Sequence, residues 1–230
     1  MKSFVITIPD LAVSELGFAK CTQSSIKVKN DFNLERFDAV VPEAVDDLLK
    51  SHGIKWNYPW QGQESDFSTG LIKSAYVTAR PKARIAAALS HYNLWKKASI
   101  SEEPIMVLEH DAYFIAKFDL DVSKSKGDII GINNPLGCTR RSREFYQKII
   151  DNQAMYQPAP TIDEFNIPQC IAGNSAYIIK PAGAKKMIEL VDEHGLWPND
   201  AIMCKQLVPN LMVTRKFFTS IQNLRSTTTL

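Results

Sequence analysis

No apolar run in this chain approaches the length of a membrane span, and the opening MKSFVITIPD puts Pro9 and Asp10 where a signal peptide would continue its apolar stretch. A soluble, cytoplasmic protein is the expectation. Cysteine is scarce. Cys21, Cys138, Cys170 and Cys204 stand far apart with no C-x-x-C pair, so neither a zinc cage nor a disulfide framework is indicated and reduced thiols are expected. Charge of one sign is lacking too. A net charge of +2, from 27 basic and 25 acidic residues, gives no global attraction to nucleic acid, so such a partner has to rest on a local cluster. Repeats and low-complexity tracts are absent. What is there is 230 residues with 45% hydrophobic content, enough for one domain with a sizeable core.

Lys2 to Ile8 is a short apolar run stopped by Pro9, which predicts a buried first strand. Leu11 to Thr22 has helical spacing, and LERFDAVV (Leu34 to Val41) reads as a second strand. Pro42 opens a helix whose C-cap is Gly53. From Ile54 to Ala79 no period survives, and this stretch carries Trp56, Tyr58 and Trp60; irregular segments of that length are usually functional or mobile. Pro81 starts a long helix with Ile85, Ala88, Leu89, Tyr92 and Trp95 on one face. Strands are predicted at Ile105 to Leu108, Asp128 to Asn133, Cys170 to Ile179 and Leu211 to Phe218, and helices at Pro181 to Gly195 and Pro198 to Leu207. This order predicts an α/β fold with a mixed, mostly parallel sheet and ligands at the strands' carboxyl ends.

In PIMVLEHDAYF the buried strand runs straight into Glu109, His110 and Asp111. Carboxylates there are costly unless water, hydrogen bonds or cations answer them. Two residues apart in extended backbone, Glu109 and Asp111 point the same way, and two such oxygens suit Mg²⁺ or Mn²⁺ shared with a diphosphate. They could equally cap the following turn or meet an arginine, and one E-x-D is weak alone.

An ordered set of motifs goes further. ARIAAALSHYNLW (Ala83 to Trp95) before VLEHD (Val107 to Asp111) resembles the GEIGCALSHxxLW helix and LEDD strand end of glycosyltransferase family 25, the lipooligosaccharide and collagen galactosyltransferases. VITI (Val5 to Ile8), RFDAV (Arg36 to Val40), GNSAYIIKPAGAKKM (Gly173 to Met187), WPND (Trp197 to Asp200) and the closing SIQNLRST are similar to later members of that series. The likeness spans nearly the whole chain. Ala83, Arg84, Ala86 and Ala87 replace the family's Gly, Glu, Gly and Cys, and His110 replaces the middle Asp.

The resemblance implies a single GT-A-like (Rossmann-like) domain, with residues 1–111 binding a UDP-sugar and 112–230 the acceptor. It implies an inverting, metal-dependent glycosyl transfer with Mn²⁺ or Mg²⁺ on Glu109 and Asp111. His110 is open between metal ligand, ribose contact and supporting partner. The nucleotide sugar would meet Thr7, Ile8 and Pro9, then Phe37, Asp38, Ala39 and Val40, with Lys82 and Arg84 near its diphosphate. The general base is Asp200 from the P-x-D match, ahead of Asp163 and Glu164. His91 reads as a structural histidine.

For the acceptor, Trp56, Tyr58 and Trp60 could stack on a sugar or a flipped base, Gly173, Asn174 and Ser175 could offer donors, and Arg140, Arg141 and Arg143 could join Lys82, Arg84, Arg215 and Lys216 in a cationic rim. The rim and the absence of a basic, aromatic tail after STTTL narrowly favour duplex DNA carrying hydroxymethylated pyrimidines over a cell-surface saccharide such as lipopolysaccharide. The donor stays open between UDP-glucose, UDP-galactose and UDP-arabinose. A non-catalytic nucleotide-sugar-binding module is the rival of another class, and an adaptor protein, which predicts no UDP binding at all, is a further one.

Overall fold

The computed structural model describes residues 1–139, 141–169, 171, 173–224 and 227–228, so Arg140, Cys170 and Ser226 lie outside the described residues. The first strand, β1 (Lys2–Thr7), leads through α1 (Ala12–Lys27) to β2 (Leu34–Asp38), and a 3-10 turn at Pro42–Ala44 opens α2 (Val45–His52). Gly53 closes α2 at φ +65°, the left-handed cap for which glycine is suited. Within the stretch expected to be irregular, β3 (Gln63–Asp66) and β4 (Leu71–Ser74) form a hairpin. Its strands are four residues each, and β3 is mostly exposed and polar, too short and too hydrophilic to show a period of two.

Then follow α3 (Pro81–Ser99), β5 (Ile105–Glu109), β6 (Ala112–Phe114), β7 (Ile129–Gly131), α4 (Ser142–Asp151), β8 (Tyr156–Pro158), β9 (Asn166–Ile167) and β10 (Ala176–Ile179). The chain continues with α5 (Pro181–His194), α6 (Asn199–Ile202), β11 (Leu211–Thr214) and β12 (Thr219–Ile221). Several expected elements are shorter than the apolar runs that signalled them. β10 begins only after Gly173, at φ +100°, has turned the chain. The expected helix at Pro198 to Leu207 is the single turn α6, which ends where Met203, at φ −82° and ψ 63°, leaves helical geometry.

Among the described residues, seven strands form one sheet in the order β2-β1-β5-β10-β7-β11-β8. β10 runs antiparallel to both neighbours and β8 antiparallel to β11; the other pairs are parallel. Both faces of the sheet's centre are covered, which is why its strands read as unbroken apolar runs. Phe4, Ile105, Val107 and Tyr177 pack under α3 and α5 on one face; Val5, Met106, Leu108 and Ile178 pack against α1, β6 and β12 on the other. α3 is buried almost all round, with Ala86, Ser90, His91 and Leu94 joining the predicted face. No described helix is long and apolar enough to cross a membrane.

One close approach fixes the end of β5 against α1. A Cβ on Gly17 would stand 2.5 Å from the His110 carbonyl oxygen, so only glycine lets the helix lie this near the acidic turn. Gln222 completes the clamp: its Nε2 donates to the carbonyls of Gly17, His110 and Ala112 at 3.0, 3.1 and 3.0 Å. Gly17→Ala gains about 1 kcal/mol of helix propensity but forces backbone apart, and a net loss of roughly 1–3 kcal/mol is expected in denaturant unfolding. A variant as stable as the parent would show that the turn yields freely.

Candidate active site

Strand ends and a helix start build a cleft of about 860 Å³. Ile8, Pro9, Asp10 and Leu11 follow β1; Ala39 to Glu43 follow β2; Arg80 to Ala83 begin α3; Glu109 and His110 end β5. The cleft thus lies at the carboxyl ends of three neighbouring parallel strands, as α/β sheets commonly arrange it. Side chains from the flanking helices hold the loops: Ser14 Oγ accepts the Ile8 amide at 2.8 Å and Ser90 Oγ the Val40 amide at 2.9 Å. Ile8 and Val40 therefore offer the cleft side chains and carbonyls rather than N–H groups. The first turn of α3 holds no acidic residue, so its N-terminal partial positive charge is not offset there.

Of the residues predicted to bind the nucleotide sugar, Ile8, Pro9, Ala39, Val40, Lys82, Glu109 and His110 line this cleft. Thr7 does not: it is fully buried and its hydroxyl donates to the Val5 carbonyl. Phe37 packs edge-on against Phe4, and Asp38 pairs with Arg36 at 2.6 Å, so both turn away. Arg84 follows Lys82 by two helical positions, about 200° round the axis, and its guanidinium lies 4.2 Å over the Tyr76 ring beside Asp200. Lys82 itself pairs with Asp46 at 2.6 Å.

The two acidic residues of the strand end are not a same-side pair in extended backbone. β5 stops at Glu109, and His110 and Asp111 form a turn, so the alternation does not reach Asp111. Glu109 faces the cleft, its side chain 34% exposed, with Oε1 3.0 Å from His91 Nε2. Burial works to raise its pKa, but the bond and charge of His91, the charge of His110 and a contact from Asn199 outweigh it and hold the carboxyl below its ordinary value. Burial pushes the His110 imidazole down, with the Glu109 charge opposing. Burial and then the Glu109 charge push Asp111 up to about 7, although Ser175 bonds to it.

Asp111 Oδ1 is buried with no hydrogen-bond partner among the described residues. No three His, Cys, Asp or Glu side chains among the described residues converge as a metal cage. Asp111 lies outside the cleft's lining, but its unanswered buried oxygen beside the Glu109 carboxylate fits a divalent cation with two protein ligands whose remaining positions fall to water and phosphate.

Asp200, at the start of α6, carries a second buried carboxylate oxygen without a partner among the described residues. Burial raises its pKa, Tyr76 and the Arg84 charge oppose, and the Glu109 charge adds to the rise. Asp163 is differently placed: it accepts the backbone amides of Phe165 and Asn166 at 3.0 Å, bonds that hold its carboxyl low. Glu164 is exposed. Neither has the environment of a base.

The aromatic trio does not stand open. Trp56 and Trp60 stack on each other at 5.0 Å, and Tyr58 is buried against Tyr76 and Trp197. Gly173 fits under Cys138, whose Sγ would lie 2.4 Å from a Cβ there; Asn174 and Ser175 are buried, and the Ser175 carbonyl accepts the Glu109 amide. Arg141 forms a two-pronged pair with Glu144 at 2.8 and 2.7 Å, Lys216 pairs with Asp119, and Arg143 is exposed. His91, Gly17 and Gln222 are the residues whose part in the site the sequence reading did not assign. The ALSH motif contains His91, read there as structural, and the closing SIQNLRST contains Gln222, but nothing local signals Gly17.

The sheet order and the cleft make this an α/β protein with a mixed, mostly parallel sheet and a cleft at its strand ends. The sequence pattern of glycosyltransferase family 25 (LPS biosynthesis protein) matches residues 20–203, and the chain belongs to that family and is a glycosyltransferase. Among solved structures it is similar to the galactosyltransferase LgtC in complex with donor and acceptor sugar analogues, at 13% identity over 93% of this chain and 73% of that one, with a TM-score of 0.43. No curated protein matches the chain.

The orphaned carboxyl predicts a stability cost. Asp111 titrates near 7 when folded against an ordinary 3.8, so its contribution favours folding below pH 3.8 and is lost as pH rises through 7. In chelator at pH 8, Asp111→Asn is expected to stabilise the protein by on the order of 2–4 kcal/mol while removing turnover. Thermal unfolding of the two proteins at pH 5 and pH 8 checks it: a gain equal at both pH values contradicts the assignment.

Proposed function

We propose that the protein transfers a glycosyl group from a nucleoside-diphosphate sugar, held by the 1–111 half of the chain, to a hydroxyl of a saccharide acceptor met by the 112–230 half. The observation that carries this reading is the cleft of about 860 Å³ that joins the start of α3, whose first turn holds no acidic residue, to Glu109. A nucleoside diphosphate sugar is of that size, and its diphosphate is attracted to the start of α3. UDP-glucose, UDP-galactose and UDP-arabinose are the donors to try first.

The acceptor oxygen attacks the anomeric carbon as the bond to the diphosphate oxygen breaks, inverting the centre. Asp200 takes the hydroxyl proton, a task for which a buried carboxylate of raised pKa is suited. Glu109 and Asp111 would hold Mn²⁺ or Mg²⁺. When bound, that ion would offset the charge of the departing diphosphate.

A saccharide is favoured over hydroxymethylated DNA by the state of the basic residues. Arg141, Lys82 and Lys216 are each paired with a carboxylate, which offsets part of the charge the rim would offer to phosphates, while Arg143 stays exposed.

UDP release, with mass gain on the acceptor, tests both parts across the three donors, core oligosaccharides and DNA with and without hydroxymethylcytosine. Release that needs a saccharide and Mn²⁺ is the expected result. Release that needs the hydroxymethyl group moves the acceptor to DNA, and binding without release leaves a binding module. Asp200→Asn should lower kcat by about 10²–10⁴-fold with donor KM little changed. In the parent, kcat should rise with pH through a value above the ordinary carboxylate range.

A further inference from the structure

His91 lies midway along α3, 1% exposed, in a place where an apolar residue would pack well. Both its ring nitrogens are nonetheless engaged. Nε2 stands 3.0 Å from Glu109 Oε1 and Nδ1 2.9 Å from the Tyr177 hydroxyl, which also accepts the Trp95 Nε1–H at 2.9 Å. The imidazole further stacks on the Tyr177 ring, centroids 5.8 Å apart and planes 22° from parallel. Trp95 is one helical turn beyond His91, and Tyr177 on β10 pairs with Val107, two residues before Glu109. A buried chain of hydrogen bonds therefore runs from α3 through β10 to the one carboxylate that faces the cleft at the end of β5.

We propose that His91 is a positioning residue that aims the Glu109 carboxylate into the cleft, with Tyr177 and Trp95 fixing its ring. Glu109 has a flexible side chain and is one-third exposed, so without the His91 donor the contact from Asn199 alone would be left to limit the rotamers of its carboxylate. With Oε1 held by His91, the second oxygen has a set direction, which is what a shared cation or a diphosphate needs from its ligand. A histidine serving packing alone would gain nothing from a bond to a cleft carboxylate.

The inference rests on the nucleotide-sugar reading, and the test separates the two. UDP binding is measured by titration calorimetry with Mn²⁺ and with chelator, in the parent, His91→Phe, His91→Gln and Tyr177→Phe, with melting temperature alongside. His91→Phe keeps the ring and removes both nitrogens; it should cut the Mn²⁺-dependent gain in UDP affinity by about tenfold or more while affinity in chelator stays within about threefold. His91→Gln, whose amide reaches a similar position, should restore much of the gain, and Tyr177→Phe should fall between. If His91→Phe keeps the full gain, or if Gln and Phe lose it equally in step with melting temperature, His91 is structural. If the parent binds UDP with no gain from Mn²⁺, the cation reading and this inference both fall. If it binds no UDP at all, the donor cleft itself is misassigned.

Discussion

A buried strand that ends in two carboxylates sets a demand that the surrounding structure answers piece by piece. Glu109 and Asp111 stand at the carboxyl end of β5, in the sheet's interior, and each raises the cost of ionising the other. α3 supplies His91 to the first, and the turn before β10 supplies Ser175 to the second. α1 can approach the turn only through Gly17, and Gln222 binds three carbonyls around it. Helix, strand and C-terminal segment converge on the four residues from Glu109 to Ala112, while one oxygen of Asp111 has no partner among the described residues. A site that stabilises charge brought by a ligand is built by leaving that much of its own charge unanswered.

The same logic separates the candidates for proton transfer. Asp163 and Asp200 are both aspartates near prolines, alike on paper. Asp163 sits in a turn whose amides satisfy it, and a satisfied carboxylate is a weak base. Asp200 sits beside Tyr76 and Arg84 with a raised pKa and one buried oxygen that has no partner among the described residues. Burial and hydrogen-bond supply, not residue type, decide between them. Arg84 likewise turns toward Asp200 rather than the side of α3 on which Lys82 lines the cleft, because two steps along a helix carry a side chain past the opposite face.

The large elements were legible because their signals are local. An apolar run stopped by proline marks β1, Gly53 marks the end of α2, and three- and four-residue spacing marks α3. The hairpin of β3 and β4 was not legible, since its strands are short and polar and exist by pairing with each other and with β9. α4 was hidden for a similar reason: its sequence opens among arginines that drew attention as a cluster, and its buried side is only Ser142, Phe145 and Ile149.

What the amino-acid order determined by itself is the family, the α/β class and the acidic strand end, because motif order, periodicity and proline and glycine positions are carried within short stretches of chain. Which groups face each other across those stretches was decided only by the tertiary structure. The contact of His91 with Glu109 spans 18 residues, that of Gln222 with Gly17 spans 205, and the pairing of the basic residues with carboxylates depends on which surfaces fold together. Burial and charge act through space, so the strength of a base, the aim of a ligand and the sign of a surface appear only once the chain has closed on itself.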